Sequence, residues 1–270
     1  MKADKLRSSL HHHNSGLYIV FQPQIDITSG KTIGAEALCR WHHPRIGLIP
    51  PSFFIPMLDA RGHSSTLFFL ILDACLDMNQ KLSSIGIQLQ FSINASPLLF
   101  LDDRWIKRLQ NTVTERVVNP KYITLEMLES GSVNDTRALR RSVQYLITEG
   151  YNVAIDDFGT GSSNDILLAD IPFNKLKLDR SFVASIDKDD RYATICRHQI
   201  ELAKSLNIEC IAEGVETIAQ KRALLEGGCT IGQGYLWAPP IPSSFFFNEM
   251  AWMPKLHING YQGVRHDLVQ

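Results

Sequence analysis

The chain carries almost no net charge: 27 Lys and Arg stand against 28 Asp and Glu, a formal balance of −1 at pH 7. No global field therefore recruits a polyanion such as a nucleic-acid polymer, and an anionic ligand must be held by local cations. Long apolar runs are also missing. The longest, Leu67–Leu72 (LFFLIL), falls far short of the roughly 20 residues that cross a bilayer. The polar start MKADKLRSSLHHHNSG has no apolar signal core, so neither a membrane segment nor a secretory leader is expected. Cysteine is sparse and unpatterned. Cys39, Cys75, Cys196, Cys210 and Cys229 are odd in number and form no C-x-x-C pair, which argues against a disulfide framework or a thiolate zinc site and for reduced thiols in a cytoplasmic protein.

What is present is ordinary globular material. Hydrophobic residues make up 44% and charged residues 20% of the 270, enough apolar mass for one substantial core. Apolar, strand-like runs occur at 18–24, 32–40, 87–93, 122–127, 152–155, 175–178, 208–212 and 230–235. Between most of them lie stretches with apolar residues at three- and four-residue steps, at 65–81, 136–149, 190–205 and 218–226, the period of amphipathic helices. The first two runs are separated only by DITSGK, a tight turn, so they pair as an antiparallel hairpin. Eight strands with mostly helical connections predict a (β/α)₈ TIM-like barrel with an antiparallel first strand. Its expected extent is 17–250, preceded by a flexible leader (1–16) and followed by a C-terminal tail (251–270).

In a parallel barrel the C-terminal strand ends carry the chemistry. Here nearly every such end bears a carboxylate or an amide: Glu36, Asn94, Glu126, the pair Asp156-Asp157, Lys177 with Asp179, Glu213 and Gln233. Any one acid in an apolar strand could be half of a structural ion pair. Five carboxylates (Glu36, Glu126, Asp156, Asp157 and Glu213) on one rim would raise each other's pKa unless cations neutralise them. Lys177 and Arg40 are too few for that, which points to bound divalent metal. Oxygen ligands without Cys or His suit Mg²⁺ or Mn²⁺ rather than zinc. Adjacent Asp156 and Asp157 suggest two ions close together, the arrangement that serves in-line phosphoryl displacement. The Gly-Thr-Gly at 159–161 lacks the Lys and spacing of a phosphate-cradling loop and reads instead as a tight turn that aims Asp156 and Asp157.

Several longer motifs occur in order: FQPQIDITSGKTIGAEALCRWHHP, FIPMLDARG, FSINAS, LEMLES, AIDDFGTG, KLKLDRSFV, AEGVET and GQGYLWAPP. Together they run from about Gln22 to Pro240, and in them the chain resembles the EAL domains, bacterial phosphodiesterases that linearise cyclic di-GMP. The family motif itself stands as Glu36-Ala37-Leu38. The resemblance implies that Glu36, Asn94, Glu126 and Asp156 ligate a first Mg²⁺ or Mn²⁺. It implies that Asp156 bridges to a second ion held by Asp157 and Glu213, directly or through water. Lys177 would touch the attacking water, Gln22 and Arg40 would contact the dinucleotide, and Asp179, Glu216 and Gln233 would stand behind the ligands or beside the substrate. Ca²⁺, with longer bonds and looser coordination, is expected to inhibit. A homodimer is the expected assembly.

Two departures from the family pattern are visible. Leu128 stands where family members carry Thr in E-x-T-E, and Ser162-Ser163-Asn164-Asp165 replaces Tyr-Ser-Ser-Leu after DDFGTG. The resemblance makes Glu129 the anchor of that second loop, so a loosened loop and modest, association-sensitive activity are expected. Every implied ligand and Lys177 are retained. That favours an enzyme over the competing reading, a non-catalytic module that binds cyclic di-GMP or a partner protein.

Overall fold

The computed structural model describes residues 16–128, 135–159 and 168–252. Eight strands close a barrel: β1 (Leu17–Asp26), β2 (Thr32–His43), β4 (Gln90–Asn94), β5 (Ile123–Leu128), β6 (Asn152–Phe158), β7 (Lys175–Leu178), β8 (Glu209–Ala212) and β9 (Ile231–Gly232). Two short strands, β3 (Gly47–Ile49) and β10 (Ile241–Pro242), pair outside the ring with β2 and β1. Pairing is parallel from β2 through β9, whereas β1 runs antiparallel to both of its barrel neighbours, as the short hairpin turn predicts. The turn is built locally. The Asp26 carboxylate accepts the N–H groups of Thr28 (2.9 Å) and Ser29 (3.0 Å), and Gly30 supplies a φ of 73°.

The helices are α1 (Pro51–Asp59), α2 (Ser64–Ser83), α3 (Asp103–Glu115), α4 (Thr136–Thr148), α5 (Arg180–Val183), α6 (Asp190–Ser205), α7 (Ile218–Gly227) and α8 (Ser243–Trp252). Most cap themselves with local chemistry: Asp102, Asp135, Asp179 and Asp189 each accept a backbone N–H of the first turn of α3, α4, α5 and α6. Thr217 and Gln220 form a reciprocal capping box on α7. No helix of the described residues is long and apolar enough to cross a membrane.

Two of the expected strands are shorter than their apolar runs. Pairing in β4 begins only at Gln90, because the Ile87 N–H is spent on Leu82 O at the end of α2 (3.0 Å). In β9 only Ile231 and Gly232 pair, after which Gly234 packs against the backbone of Val215 so closely that a Cβ would lie 2.1 Å from its carbonyl oxygen. Helices α1, α3 and α5 and strands β3 and β10 lie outside the expected runs; α1 carries prolines at its start and at Pro56, which weaken a helical pattern.

Outward-facing strand residues and inward helix faces form the apolar core. The hairpin leaves β1 without a crossover helix, and α8 covers it instead. Phe246, fully buried, packs on Phe21 (ring centroids 5.2 Å apart), and Phe21 meets Phe91 edge-on at 5.5 Å. In the FFF run, Phe246 is core while Phe245 is 58% exposed.

The barrel interior is the reverse of the usual branched-aliphatic filling. Alternation turns Gln22 and Gln24, Ser92 and Asn94, Thr124 and Glu126, and Lys175 and Lys177 inward, and bonds between them cross the barrel. At its floor the Lys175 ammonium bonds Gln90 Oε1 (2.6 Å) and pairs with Glu209.

Candidate active site

At the C-terminal mouth one ammonium gathers four carboxylates. Lys177 Nζ lies 2.7 Å from Glu213 Oε1, 2.8 Å from Glu126 Oε2, 3.1 Å from Asp156 Oδ1 and 3.6 Å from Glu36 Oε2. Its side chain is 1% exposed. The flanking Leu176 and Leu178 are buried in the outer layer, so strand alternation alone delivers Lys177 to the interior. Burial opposes its charge, but the surrounding acids dominate and hold its pKa well above that of an ordinary lysine.

The acids differ by environment. Burial pushes Glu36 up, yet Lys177 and the hydrogen bonds from Gln233 Nε2 (2.6 Å) and Asn94 Nδ2 (2.8 Å) outweigh it and leave its pKa lowered. Burial pushes Glu126 up to about 8 against the pull of Lys177, and the charges of Glu36 and Asp156 add to the rise. Glu213 is raised well above its ordinary value by burial and by the charges of Asp156 and Glu36. Asp157 is pushed up to about 6 by burial, by Asp156 and by Asp179.

Asp156 and Asp157 reach the mouth together through a strand irregularity. Two consecutive residues in a regular strand point to opposite faces. The β6–β7 register shifts between Ile155 and Phe158, and Asp157 takes a φ of 56°, rare for a non-glycine residue. Its N–H then bonds Asp156 Oδ1 at 3.0 Å. Such strain costs on the order of 1–3 kcal/mol and persists where the surroundings demand it. The described reorientation thus lies in the strand at Asp157, ahead of the Gly-Thr-Gly turn. Gly159 is required separately: its φ is 98°, and a Cβ there would lie 2.1 Å from Gln199 Nε2. Residues 160 and 161 of that turn are outside the described residues.

Carboxylate oxygens of Asp156, Asp157 and Glu213 all lie within 4.8 Å of one another, a spacing that could hold a cation. Beside them, Glu126 Oε1 is buried without a hydrogen-bond partner among the described residues. An all-oxygen donor set with an unsatisfied buried lone pair fits a hard divalent ion.

The remaining predicted residues are distributed unevenly. Gln22 is buried and engaged, accepting from Gln233 Nε2 (3.0 Å) and donating to Ala238 O (3.4 Å). Asp179 caps α5 through the Ser181 N–H (2.9 Å) and contacts Asp157. Arg40 is half-buried at the rim, its Nη1 donating to Cys39 O (3.1 Å), with no carboxylate partner among the described residues. Glu216 is exposed at the approach to α7, where its N–H bonds Gln220 Oε1 (2.7 Å), and its side chain is not drawn into the cluster. Glu129 and the loop Ser162–Asp165 lie outside the described residues. Gln24 and Ser92, which the motifs did not single out, join the site from below. Each sits two residues from a predicted site residue, Gln22 and Asn94, and so faces the same way.

A family model described as the EAL domain matches residues 3–240. The chain belongs to the EAL domain family. Among curated relatives it is 32% identical over 228 residues to the cyclic di-GMP phosphodiesterase RocR of Pseudomonas aeruginosa, covering 84% of this chain and 58% of that one. It is 34% identical over 247 residues to MucR of the same organism, a bifunctional diguanylate cyclase/cyclic di-GMP phosphodiesterase, covering 91% of this chain and 36% of that one. The chain thus spans only part of the length of these relatives. Among solved structures, the PaMucR phosphodiesterase in its c-di-GMP complex superposes with a TM-score of 0.80 at 32% identity, covering 90% of this chain and 98% of that one. The EAL domain of Mycobacterium smegmatis DcpA superposes with a TM-score of 0.74 at 30% identity, covering 89% and 98%.

Proposed function

We propose that this chain is a metal-dependent phosphodiesterase that opens cyclic di-GMP to the linear dinucleotide pGpG. The observation that carries the reading is the convergence of Glu36, Glu126, Asp156 and Glu213 on Lys177 at the mouth of an EAL-family barrel. Glu36, Asn94, Glu126 and Asp156 would hold one Mg²⁺ or Mn²⁺, and Asp156, Asp157 and Glu213 a second. When bound, the two ions supply an activated water nucleophile and neutralise charge on the phosphoryl oxygens. The chain's own residues do the rest. Lys177, carrying its proton, orients the attacking water and stabilises the charge that develops at phosphorus. Arg40 offers a planar fork at the rim for a non-bridging phosphate oxygen pair. Gln22 and Gln233 hold the floor of the mouth, and Asp179 and Glu216 flank it on the substrate side.

Five free thiols, four of them buried, support a reducing compartment such as the cytoplasm. Association as a homodimer rests on the family resemblance and is read directly by light scattering. The test of the activity is incubation of purified protein with cyclic di-GMP and Mg²⁺ or Mn²⁺, with products separated by chromatography. Appearance of pGpG that stops on chelation is expected. Tight binding of cyclic di-GMP without turnover in either ion would replace this reading with the non-catalytic one.

A further inference from the structure

We propose that Gln24 and Ser92, deep in the barrel, are positioning residues that set the orientation of Glu36 by way of Gln233. The inference deepens the reading of Glu36 as a metal ligand and rests on it.

The side chains form one directed chain. Gln24 Nε2 donates to Ser92 Oγ (3.3 Å) and to Gln233 Oε1 (3.2 Å). Gln233 Nε2 in turn donates to Gln22 Oε1 (3.0 Å) and to Glu36 Oε2 (2.6 Å). An amide is polar in one sense only, oxygen at one end and nitrogen at the other. Turning the Gln233 amide over would set its oxygen against the Glu36 carboxylate and its NH₂ against the NH₂ of Gln24. The Gln24 donor therefore selects the rotamer of Gln233 that presents N–H groups to Glu36. Ser92 Oγ accepts from the same Gln24 Nε2 and so keeps that nitrogen turned toward Gln233, and Gly34 leaves room for the amide oxygen, since a Cβ at Gly34 would lie 2.9 Å from Gln24 Oε1.

Gln24, Ser92 and Gln233 are 3%, 1% and 3% exposed, so bulk water does not replace a lost bond. With Asn94 fixing Glu36 Oε1 and Gln233 fixing Oε2, the carboxylate is clamped at both oxygens. Loss of the supporting layer lets the second oxygen turn, which degrades a ligand geometry without removing the ligand.

Three variants test this: Gln24→Leu, Gln24→Glu and Ser92→Ala, each titrated with Mn²⁺ by calorimetry in metal-free protein and assayed for kcat and KM with cyclic di-GMP. Gln24→Leu is expected to weaken Mn²⁺ binding about tenfold or more and to lower kcat with little change in KM. Gln24→Glu should lose at least as much, because a carboxylate only accepts and draws the Gln233 NH₂ away from Glu36. Ser92→Ala should lose less, about a few-fold. A purely structural role would lower the melting temperature and leave Mn²⁺ affinity unchanged, and that result overturns the inference. Should the Gln24 variants fail to fold, an unchanged Mn²⁺ affinity in folded Ser92→Ala overturns it equally. Wild-type protein that binds no Mn²⁺ overturns the metal reading and this inference together, whereas binding that is equal in wild type and variants overturns only the inference.

Discussion

Lys177 Nζ and Glu126 Oε2 lie 2.8 Å apart with both side chains buried, while the other oxygen of Glu126 has no hydrogen-bond partner among the described residues. A buried pair of this kind is costly to break from one side, because the survivor is left charged in a low-dielectric interior. Here one ammonium also serves Glu36, Asp156 and Glu213, so it is a structural counter-ion as well as a proposed participant in chemistry.

Lys177→Ala should therefore show two separable losses. In chelator, the four acids lose their shared cation and the fold should weaken by about 3–5 kcal/mol. With Mg²⁺ or Mn²⁺ present, much of that loss should return, yet kcat should stay on the order of 10²–10³-fold down. Thermal melting with and without metal, beside steady-state rates, separates the two. Unchanged melting in chelator would show that Lys177 does not act as the counter-ion.

Removing one acid should have the opposite effect on the metal-free fold. Asp156→Asn keeps an acceptor for Lys177 and relieves repulsion among four carboxylates facing one ammonium. Its melting temperature in chelator should equal or exceed wild type while hydrolysis falls to background. Glu36→Ala should likewise abolish hydrolysis with the fold intact. Either variant retaining most of its activity would remove that residue from the ligand set.

The acids also predict a pH dependence. The Asp157 carboxyl is pushed up from 3.8 to about 6 and that of Glu126 from 4.5 to about 8. A carboxyl whose pKa is raised by folding favours the protonated folded state. Its contribution is full below the unfolded value and is lost as pH rises through the folded one. Metal-free protein should therefore lose melting temperature from about pH 5 to pH 8. Metal binding demands the deprotonated acids, so Mn²⁺ affinity should rise across the same interval with release of protons. Calorimetry in buffers of different ionisation enthalpy counts those protons, and pH-independent affinity would refute the assignment.

Arg40 and Lys177 should divide binding from chemistry. Arg40 sits half-buried at the rim, and among the described residues its guanidinium is tied only to a backbone carbonyl of its own strand. Arg40→Ala should raise KM and leave kcat nearly unchanged, the reverse of Lys177→Ala. A fall in kcat matching that of Lys177→Ala would place Arg40 in the chemical step.

Lys175 provides an internal control, two residues earlier on the same inward face. It pairs with Glu209 and Gln90 at the barrel floor, away from the acid cluster. Lys175→Met should cost about 1–3 kcal/mol by leaving the Gln90 acceptor unmet, with activity preserved. A kinetic defect as large as that of Lys177→Ala would show that the two ends of the interior are coupled.

Much of this was legible from one dimension. The hairpin turn DITSGK predicted the antiparallel β1, and polar residues at the ends of apolar runs marked the mouth. Lys177 between two leucines could face only inward. Weak periodicity hid α1, which carries Pro56, and the run at 230–235 overstated β9, in which only Ile231 and Gly232 pair with the strands on either side. Gln24 and Ser92 were visible as polar residues in step with Gln22 and Asn94, but nothing local says which amide each one meets.

Which side chains face inward, and which chemistry they carry, follows from neighbouring residues alone, through strand alternation and side-chain ionisation. Which of them meet follows from the closed barrel. Barrel closure sets the distances across the interior, and so brings Lys177 of β7 to acids on β2, β5, β6 and the end of β8. The turn of backbone at Asp157, φ 56°, belongs to the same level. Alternation would send Asp156 and Asp157 to opposite faces, and it takes the register shift against β7 to place both carboxylates on one side.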